Sequence, residues 1–477
     1  MGKKIKFWEL VLMNMSALYG IRWIARSTSD SFGLGLGSIV TWVIFMFIFF
    51  IPQAFMCGEL SATYNTDGGV SDWVKDAYGT KWGFMISWLR WTSILFWFGG
   101  FLTFLMINVS YMIGRPDLAD SKSFVLILSL IVIWFLSWAS VKGMTFGKIF
   151  TNTGSLGSMI PTVLLIVLSF TAIVFLQKAP SASVYTIETL TPKLNPMSLV
   201  GISGIIFAYT GAEIVACYVT EMENPKKNFP RAIVISALMV CGLYVLGSIA
   251  ITMLLPTSEI QATTGILDAL VRASELLGIP GIFVQLVAAG IAMATIGALI
   301  LYISFPIKML FGNAEPGLFP EKFTKNNEHG IPEKAIWFQA VLITIILGAV
   351  ALLPGVDVIY NVLVMMTSLS CLFPCVLLFM AYINFKKTKN YDNQTFVMTK
   401  NKKLAIALGY MELIVCLIAI VLTALPIMPT LKDNIIYELE LVGGSIVVIA
   451  AGFYIWKKSG LKNEKVSIER RELPDEE

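Results

Sequence analysis

Apolar stretches of about twenty residues follow one another along the whole chain, twelve in all, with only short polar joints between them. No other sequence feature restricts the fold as tightly. Such a length crosses roughly 30 Å of hydrocarbon as helix. At that depth water is absent, so only helices and closed barrels satisfy the backbone. The stretches lack the two-residue alternation of barrel strands. The chain therefore reads as an all-α polytopic membrane protein. Charged residues make up 14% of it, against about 25% in a soluble domain.

The stretches lie at about 8–28, 36–62, 83–113, 122–142, 155–177, 197–219, 231–255, 280–306, 334–355, 358–384, 404–427 and 436–456. Charge orients them. With the N-terminus in the cytoplasm, 26 Lys and Arg fall on inner connections and 6 on outer ones. Arg22, Arg26 and Arg90 lie within or near the stretches. This bias places both termini in the cytoplasm, and an odd helix count would scramble it. Twelve transmembrane helices are the expectation. The opening Lys3-Lys4-Ile5-Lys6 leads into a stretch with polar interruptions and no small-residue cleavage site, so it reads as an attached first helix. The net charge of +4 follows this topology and does not imply nucleic acid.

Cys57, Cys217, Cys241, Cys371, Cys375 and Cys416 all lie inside apolar stretches, with no CxxC among them. They read as packing residues rather than disulfides or thiolate metal sites. The one histidine, His329, reads as a loop residue. No nucleophile, base and metal ligands cluster, so neither an enzyme nor a cofactor is expected. The charged tail from about 457 reads as a solvated end; a cover for the inner mouth is the other reading.

Two stretches are irregular. In the first, Asn14, Ser16, Gly20, Arg22 and Arg26 interrupt the apolar run. A charge at membrane depth is costly and faces a cavity or a partner. Gly20 permits a broken backbone whose amides could hold a carboxylate; alternatively the arginines snorkel to the interface. In the sixth, Glu213 follows Tyr209-Thr210-Gly211-Ala212 among apolar residues. An isolated carboxylate there is expensive, so it is paired, hydrogen-bonded or protonated. It reads either as a proton carrier or as a structural anchor. Interrupted helices in equivalent places of two halves point to an inverted-repeat transporter with a midplane site.

At these residues the chain resembles the amino acid–polyamine–organocation (APC) superfamily, and within it the glutamate:GABA antiporter family. The likeness rests on FFIPQAFMCGELSATY at 49–64 followed by GGVSDWV, on YTGAEIVACYVTEMENPKKNFPRA at 209–232, on Pro306, on Gly317-Leu318-Phe319-Pro320 and on HGIP at 329–332. It implies a LeuT-like fold with a 5+5 inverted repeat: residues 1–177 as the first five-helix repeat and 178–384 as the second. Residues 385–456 then form helices 11 and 12, and 457–477 a cytoplasmic tail. It implies an unwound Leu18, Tyr19, Gly20, Ile21 and Arg22, and places Phe207 and Tyr302 as gating aromatics and Glu213 as the helix 6 glutamate. On helix 3 it nominates Trp91 and Leu95 as wall residues. Two features depart from the family: Leu18-Tyr19-Gly20 replaces its small-residue run, and the tail is shorter than an acid-gated exchanger's plug.

The function so implied is secondary active transport by alternating access, in the bacterial cytoplasmic (inner) membrane. The exchange is of an amino acid for a related amino acid or its decarboxylated amine. Proton-coupled amino acid or polyamine uptake is the alternative, with protons as a further partner; a sodium-driven symporter, a receptor and a channel stand further off. Partners are the small-molecule substrate and the lipid bilayer. If Arg22 faces the cavity, it repels a dication such as agmatine or putrescine and favours an acidic or neutral side chain.

Overall fold

The structure is a computed structural model that describes residues 5–64, 69–142, 147–213, 222–307, 310–311, 314–353, 355–388, 396–428 and 430–465. Ten helices among the described residues are long and apolar enough to cross a membrane. The first two helices are short: α1 (Phe7–Leu18) and α2 (Arg22–Thr28) share the first apolar stretch. Then come α3 (Gly37–Thr63), an amphipathic connector α4 (Val70–Tyr78), α5 (Thr80–Met112), α6 (Lys122–Val141) and α7 (Gly147–Phe170). The sixth stretch gives only α8 (Pro196–Ala208) before it breaks. After it run α9 (Pro225–Leu254), the short α10 (Gly265–Leu277), α11 (Ile282–Ile307), α12 (Glu333–Val350), α13 (Val356–Thr388), α14 (Lys402–Thr423) and α15 (Leu431–Ser459). The expected twelve spans thus appear as ten full-length helices, because the first and sixth stretches do not fold as single rods.

Local chemistry sets the ends. Asn195 caps α8 by accepting from Ser198 N–H at 2.9 Å, with Pro196 at the first helical position, and Asn401 caps α14 through Leu404 N–H at 3.2 Å. Short polar side chains satisfy the otherwise orphaned first-turn amides there. Gly278 and Gly460, both left-handed, stop α10 and α15.

Burial sorts the helices into layers. The apolar windows of α5 and α13 are 83% and 89% buried, whereas those of α14 and α15 are 28% and 22%. A helix that is apolar all round belongs in the centre of a bundle, and α5 and α13 pack along each other there. Gly99 makes this possible: a Cβ on it would lie 2.8 Å from Leu363 Cδ2. Small residues permit such close approach where lipid gives no hydrophobic drive between helices. The exterior is apolar, as on α6, where Ile127, Ile131, Trp134, Phe135 and Trp138 are all exposed.

Both described ends of the chain lie on one face, here the terminal face. Ile5 bridges to Met222, and Thr80 N–H donates to Glu464 C=O at 2.9 Å. Asn463 reaches the same corner, accepting from Lys81 N–H at 3.0 Å and donating to Tyr78 C=O at 3.1 Å. The start of the tail is therefore hydrogen-bonded to the root of α5 while its residues 462–465 stay exposed; residues 466–477 lie outside the described residues. The five described cysteines are all buried, and Cys217 lies outside the described residues. His329 sits in a surface loop 3.5 Å from Glu328.

Candidate functional site

The gap between α1 and α2 is three residues long, Tyr19, Gly20 and Ile21; Leu18 and Arg22 are helical, so the unwound stretch is narrower than the sequence suggested. Tyr19 is extended, with φ −84° and ψ 126°. Breaking a helix at membrane depth frees backbone groups that must find partners. Tyr244 of α9 supplies them. Its hydroxyl accepts from Gly20 N–H at 3.1 Å and donates to Leu18 C=O at 3.2 Å. The Tyr19 hydroxyl meets Thr162 of α7. Trp42 stacks on Tyr244 at 3.9 Å and takes Tyr209 edge-on at 5.3 Å. Asn14, about a turn before the gap, is fully buried with neither amide atom hydrogen-bonded among the described residues.

Tyr209 stands at the second break. There α8 ends at Ala208, and Thr210 N–H folds back onto Phe207 C=O at 2.9 Å. Gly211 follows with φ +112°, a conformation that L side chains rarely adopt. The Tyr209 hydroxyl donates to Trp42 C=O at 3.0 Å, so one aromatic cluster joins the two breaks.

Arg22 turns into the bundle. Its guanidinium carbon lies 4.3 Å over the Phe101 ring and 5.1 Å over Trp23. Phe101 stacks on Trp97 at 3.8 Å, and Trp97 leans on Tyr302 at 4.6 Å. Phe207 meets Trp23 edge-on at 5.4 Å. Among the described residues no carboxylate lies within salt-bridge distance of Arg22. The result is a half-buried cation beside a broken helix, walled by aromatics from α2, α5 and α8, with α11's Tyr302 behind them.

The nominated residues of helix 3 fall elsewhere. Trp91 donates from Nε1 to Gln339 Oε1 of α12 at 3.0 Å and packs against Phe311 at 5.5 Å. Leu95 is buried in the general core. The α5 aromatics beside Arg22 are Trp97 and Phe101, about one to three turns further on. Sequence could not choose among them, because α5 is buried on nearly every side and presents no distinct face.

Glu213 pairs with Arg90 of α5, joining the far side of the sixth-stretch break to the central helix. On the face opposite the termini, a second arginine takes part in a polar chain. Arg26, 3% exposed, donates from Nε to Asn361 Oδ1 at 3.2 Å. Asn361 Nδ2 donates to Asp357 Oδ2 at 3.2 Å, and Thr263 Oγ1 to Asp357 Oδ1 at 3.0 Å. A Cβ on Gly204 of α8 would collide with Arg26 Nη1, so α8 also closes against this chain. Helix α2, α13 and the segment before α10 are thereby fastened together above the break.

A cavity of about 270 Å³ lies at the terminal face, between α4, the root of α5 and residues 310–318. The Lys75–Glu315 ion pair spans it at 2.5 Å. It is separate from the broken helices. Among the described residues no group of three or more His, Cys, Asp or Glu could hold a metal ion.

The sequence model of the family described as amino acid permease matches residues 5–453. Several curated proteins align over most of the chain. A probable agmatine/putrescine antiporter of Lactococcus lactis subsp. lactis is 24% identical over 442 residues, covering 91% of this chain and 91% of its own. An aspartate/glutamate permease of Lactococcus lactis subsp. cremoris is 25% identical, covering 89% and 88%. A glutamate/gamma-aminobutyrate antiporter of the same subspecies is 25% identical, covering 62% and 60%. The likeness to the glutamate:GABA branch is thus one of several of similar strength.

Proposed function

The chain belongs to the amino acid permease family, a family of membrane transporters and not of enzymes, and from that premise we propose that it exchanges amino acids bearing an acidic or neutral side chain. The observation that carries this reading is Arg22. A half-buried cation with no carboxylate among the described residues in salt-bridge reach is costly in an apolar setting. A substrate carboxylate supplies the missing counter-charge, with a bidentate geometry that the guanidinium matches. A dication would meet like charge at short range. The named activities of the relatives divide along this line, since one concerns agmatine and putrescine and others concern glutamate and aspartate. Arg22 favours the second group.

The mechanism we infer is alternating access in a bacterial inner membrane, with twelve spans arranged as two inverted five-helix repeats and the terminal face cytoplasmic. The substrate sits between the two breaks. Arg22 meets one carboxylate, Phe207 and Tyr302 act as gating aromatics, and Trp97 and Phe101 wall the site. Tyr19, Gly20 and Ile21 give the bend its backbone. The buried amide of Asn14 offers an acceptor for the substrate ammonium. The Glu213–Arg90 pair holds the break in place, and the Arg26–Asn361–Asp357 chain closes the face opposite the termini.

Counterflow in proteoliposomes tests the proposal. Vesicles are preloaded with glutamate, aspartate, GABA, alanine, agmatine or putrescine, and entry of labelled glutamate is followed. Acceleration by the acidic and neutral compounds is expected. Uptake driven only by an imposed proton gradient, with no acceleration by any preloaded compound, would replace exchange with proton-coupled uptake.

A further inference from the structure

Among the described residues, three carboxylates in the apolar helices are almost completely buried: Glu59, Glu213 and Glu412. Two have cations. Glu59 receives Lys386 Nζ and, at 2.8 Å, the Tyr382 hydroxyl; Glu213 has Arg90. Glu412, 0% exposed, has no hydrogen-bond partner at either oxygen among the described residues. No Lys or Arg lies within salt-bridge distance of it there.

The position is central. Helix α14 turns one stripe inward: Ala405, Gly409, Glu412, Cys416, Ala419 and Thr423. Except for Glu412 these residues are small, and they let α14 press against α13 and α8. Glu412 is ten residues beyond Lys402, so it lies about 15 Å along the helix, near the middle of a roughly 30 Å core. A Cβ on Gly409, one turn towards the terminal face, would lie 2.8 Å from Ile383 Cγ1 and 3.4 Å from the Tyr382 ring, while Cys416, one turn away from it, donates to Leu372 C=O at 3.3 Å. Glu412 therefore faces α13 between those levels.

Among the described residues its surroundings hold little charge. On its own helix the titratable neighbour is Cys416. From α13 come Cys371, Cys375, Tyr382 and Lys386, the last two already engaged with Glu59. From α3 come Cys57 and Glu59; its five-residue turn Met46–Phe50 and the whole of α8 carry no titratable side chain. Arg90 lies behind Cys375 and is committed to Glu213.

We propose that Glu412 is a proton-binding site. An ionised carboxylate with no partner in this seam is far costlier than the neutral acid. The carboxyl therefore carries a proton in the packing seen here, taken from the aqueous phase and returned to it, with no other bond made or broken. Helices α13 and α8 reach the Arg26 chain and the second break respectively, so a change in their packing against α14 changes the site's affinity for the proton. Proton occupancy is linked in this way to the helices that enclose the substrate. The inference needs only the buried seam and does not depend on which substrate is carried.

The test uses the whole purified protein without substrate. Infrared difference spectra are recorded as pH rises from about 5 to about 9, a span well above the ordinary glutamate range. Wild type is expected to show a protonated-carboxyl band at neutral pH that Glu412→Gln lacks. In parallel, wild type is treated with dicyclohexylcarbodiimide, which attacks neutral carboxylic acids in apolar sites, and peptides are weighed. Modification of Glu412 is expected to exceed that of Glu59 and Glu213 by about tenfold or more. A variant that keeps the band, or equal modification of all three residues in wild type, overturns the proposal. The labelling arm stands even if the variant does not fold.

Discussion

The Arg22 guanidinium lies 4.3 Å above the Phe101 ring, so a cation from the broken first helix rests on the central helix α5. Cation–π attraction is worth roughly 0.5–2 kcal/mol, most when water is excluded. Phe101→Leu keeps an apolar wall and removes that hold. The expected result is a rise of roughly 2- to 30-fold in half-saturation for an acidic substrate, with much less change for alanine. Concentration-dependent counterflow measures both.

Tyr244 bridges the break by hydrogen bonds on either side of it. Tyr244→Phe keeps the ring that stacks on Trp42 but leaves Gly20 N–H and Leu18 C=O without this partner. An unsatisfied buried polar group costs about 1–3 kcal/mol. The variant should melt at a lower temperature in detergent and transport slowly. Unchanged thermal stability and rate would show that the hydroxyl carries no such role.

Asn361 is the link between Arg26 and Asp357. Asn361→Ala cuts the chain and leaves Arg26 short of an acceptor. The face opposite the termini should then open more often. Hydrogen–deuterium exchange across residues 22–28 is expected to quicken by about tenfold, equivalent to about 1.4 kcal/mol.

The Arg90–Glu213 pair should behave as a unit. Breaking a buried pair costs about 3–5 kcal/mol; Arg90 is 22% exposed, so about 1–3 kcal/mol is a fairer figure. Glu213→Gln alone should lower the melting temperature more than Arg90→Gln with Glu213→Gln together. A double-mutant cycle reads the coupling directly.

On the face opposite the termini, burial pushes the Asp268 carboxyl above its usual range, outweighing the hydroxyls of Thr264 and Tyr111 that draw it down. A raised folded-state pKa means that the folded protein holds its proton to higher pH than the unfolded chain does. Stability from this group is present at low pH and falls as pH rises from the ordinary aspartate range through the folded value. Asp268→Asn should therefore gain on wild type in melting temperature as pH rises across that window.

Hydropathy located most helices closely: the stretch at about 83–113 is Thr80–Met112, and that at about 122–142 is Lys122–Val141. The first break was legible because Gly20 and nearby polar residues interrupt an apolar run. Its partner Tyr244 was not, being 224 residues away in the chain. The direction of Arg22 depends on packing against Phe101 and was open for the same reason. The five-residue wide turns at Met46–Phe50, Thr171–Phe175 and Leu439–Gly443 leave no hydropathy signal, because each is as apolar as ordinary helix around it. Glu412 does leave a sequence signal, a lone carboxylate within ALGYMELIVCL. It lies in a helix that carries none of the recognisable motifs, and hydropathy alone does not tell an inward-facing acid from a lipid-facing one.

We propose that the Arg22 cation selects the substrate. Counterflow of labelled glutamate and labelled agmatine by wild type and by Arg22→Gln, side by side, decides whether it does. Wild type should exchange glutamate and reject agmatine, and the variant should lose at least about tenfold of its preference for glutamate. If wild type exchanges agmatine as well as glutamate, or if the variant keeps the wild-type preference, Arg22 does not choose the substrate and the claim is wrong.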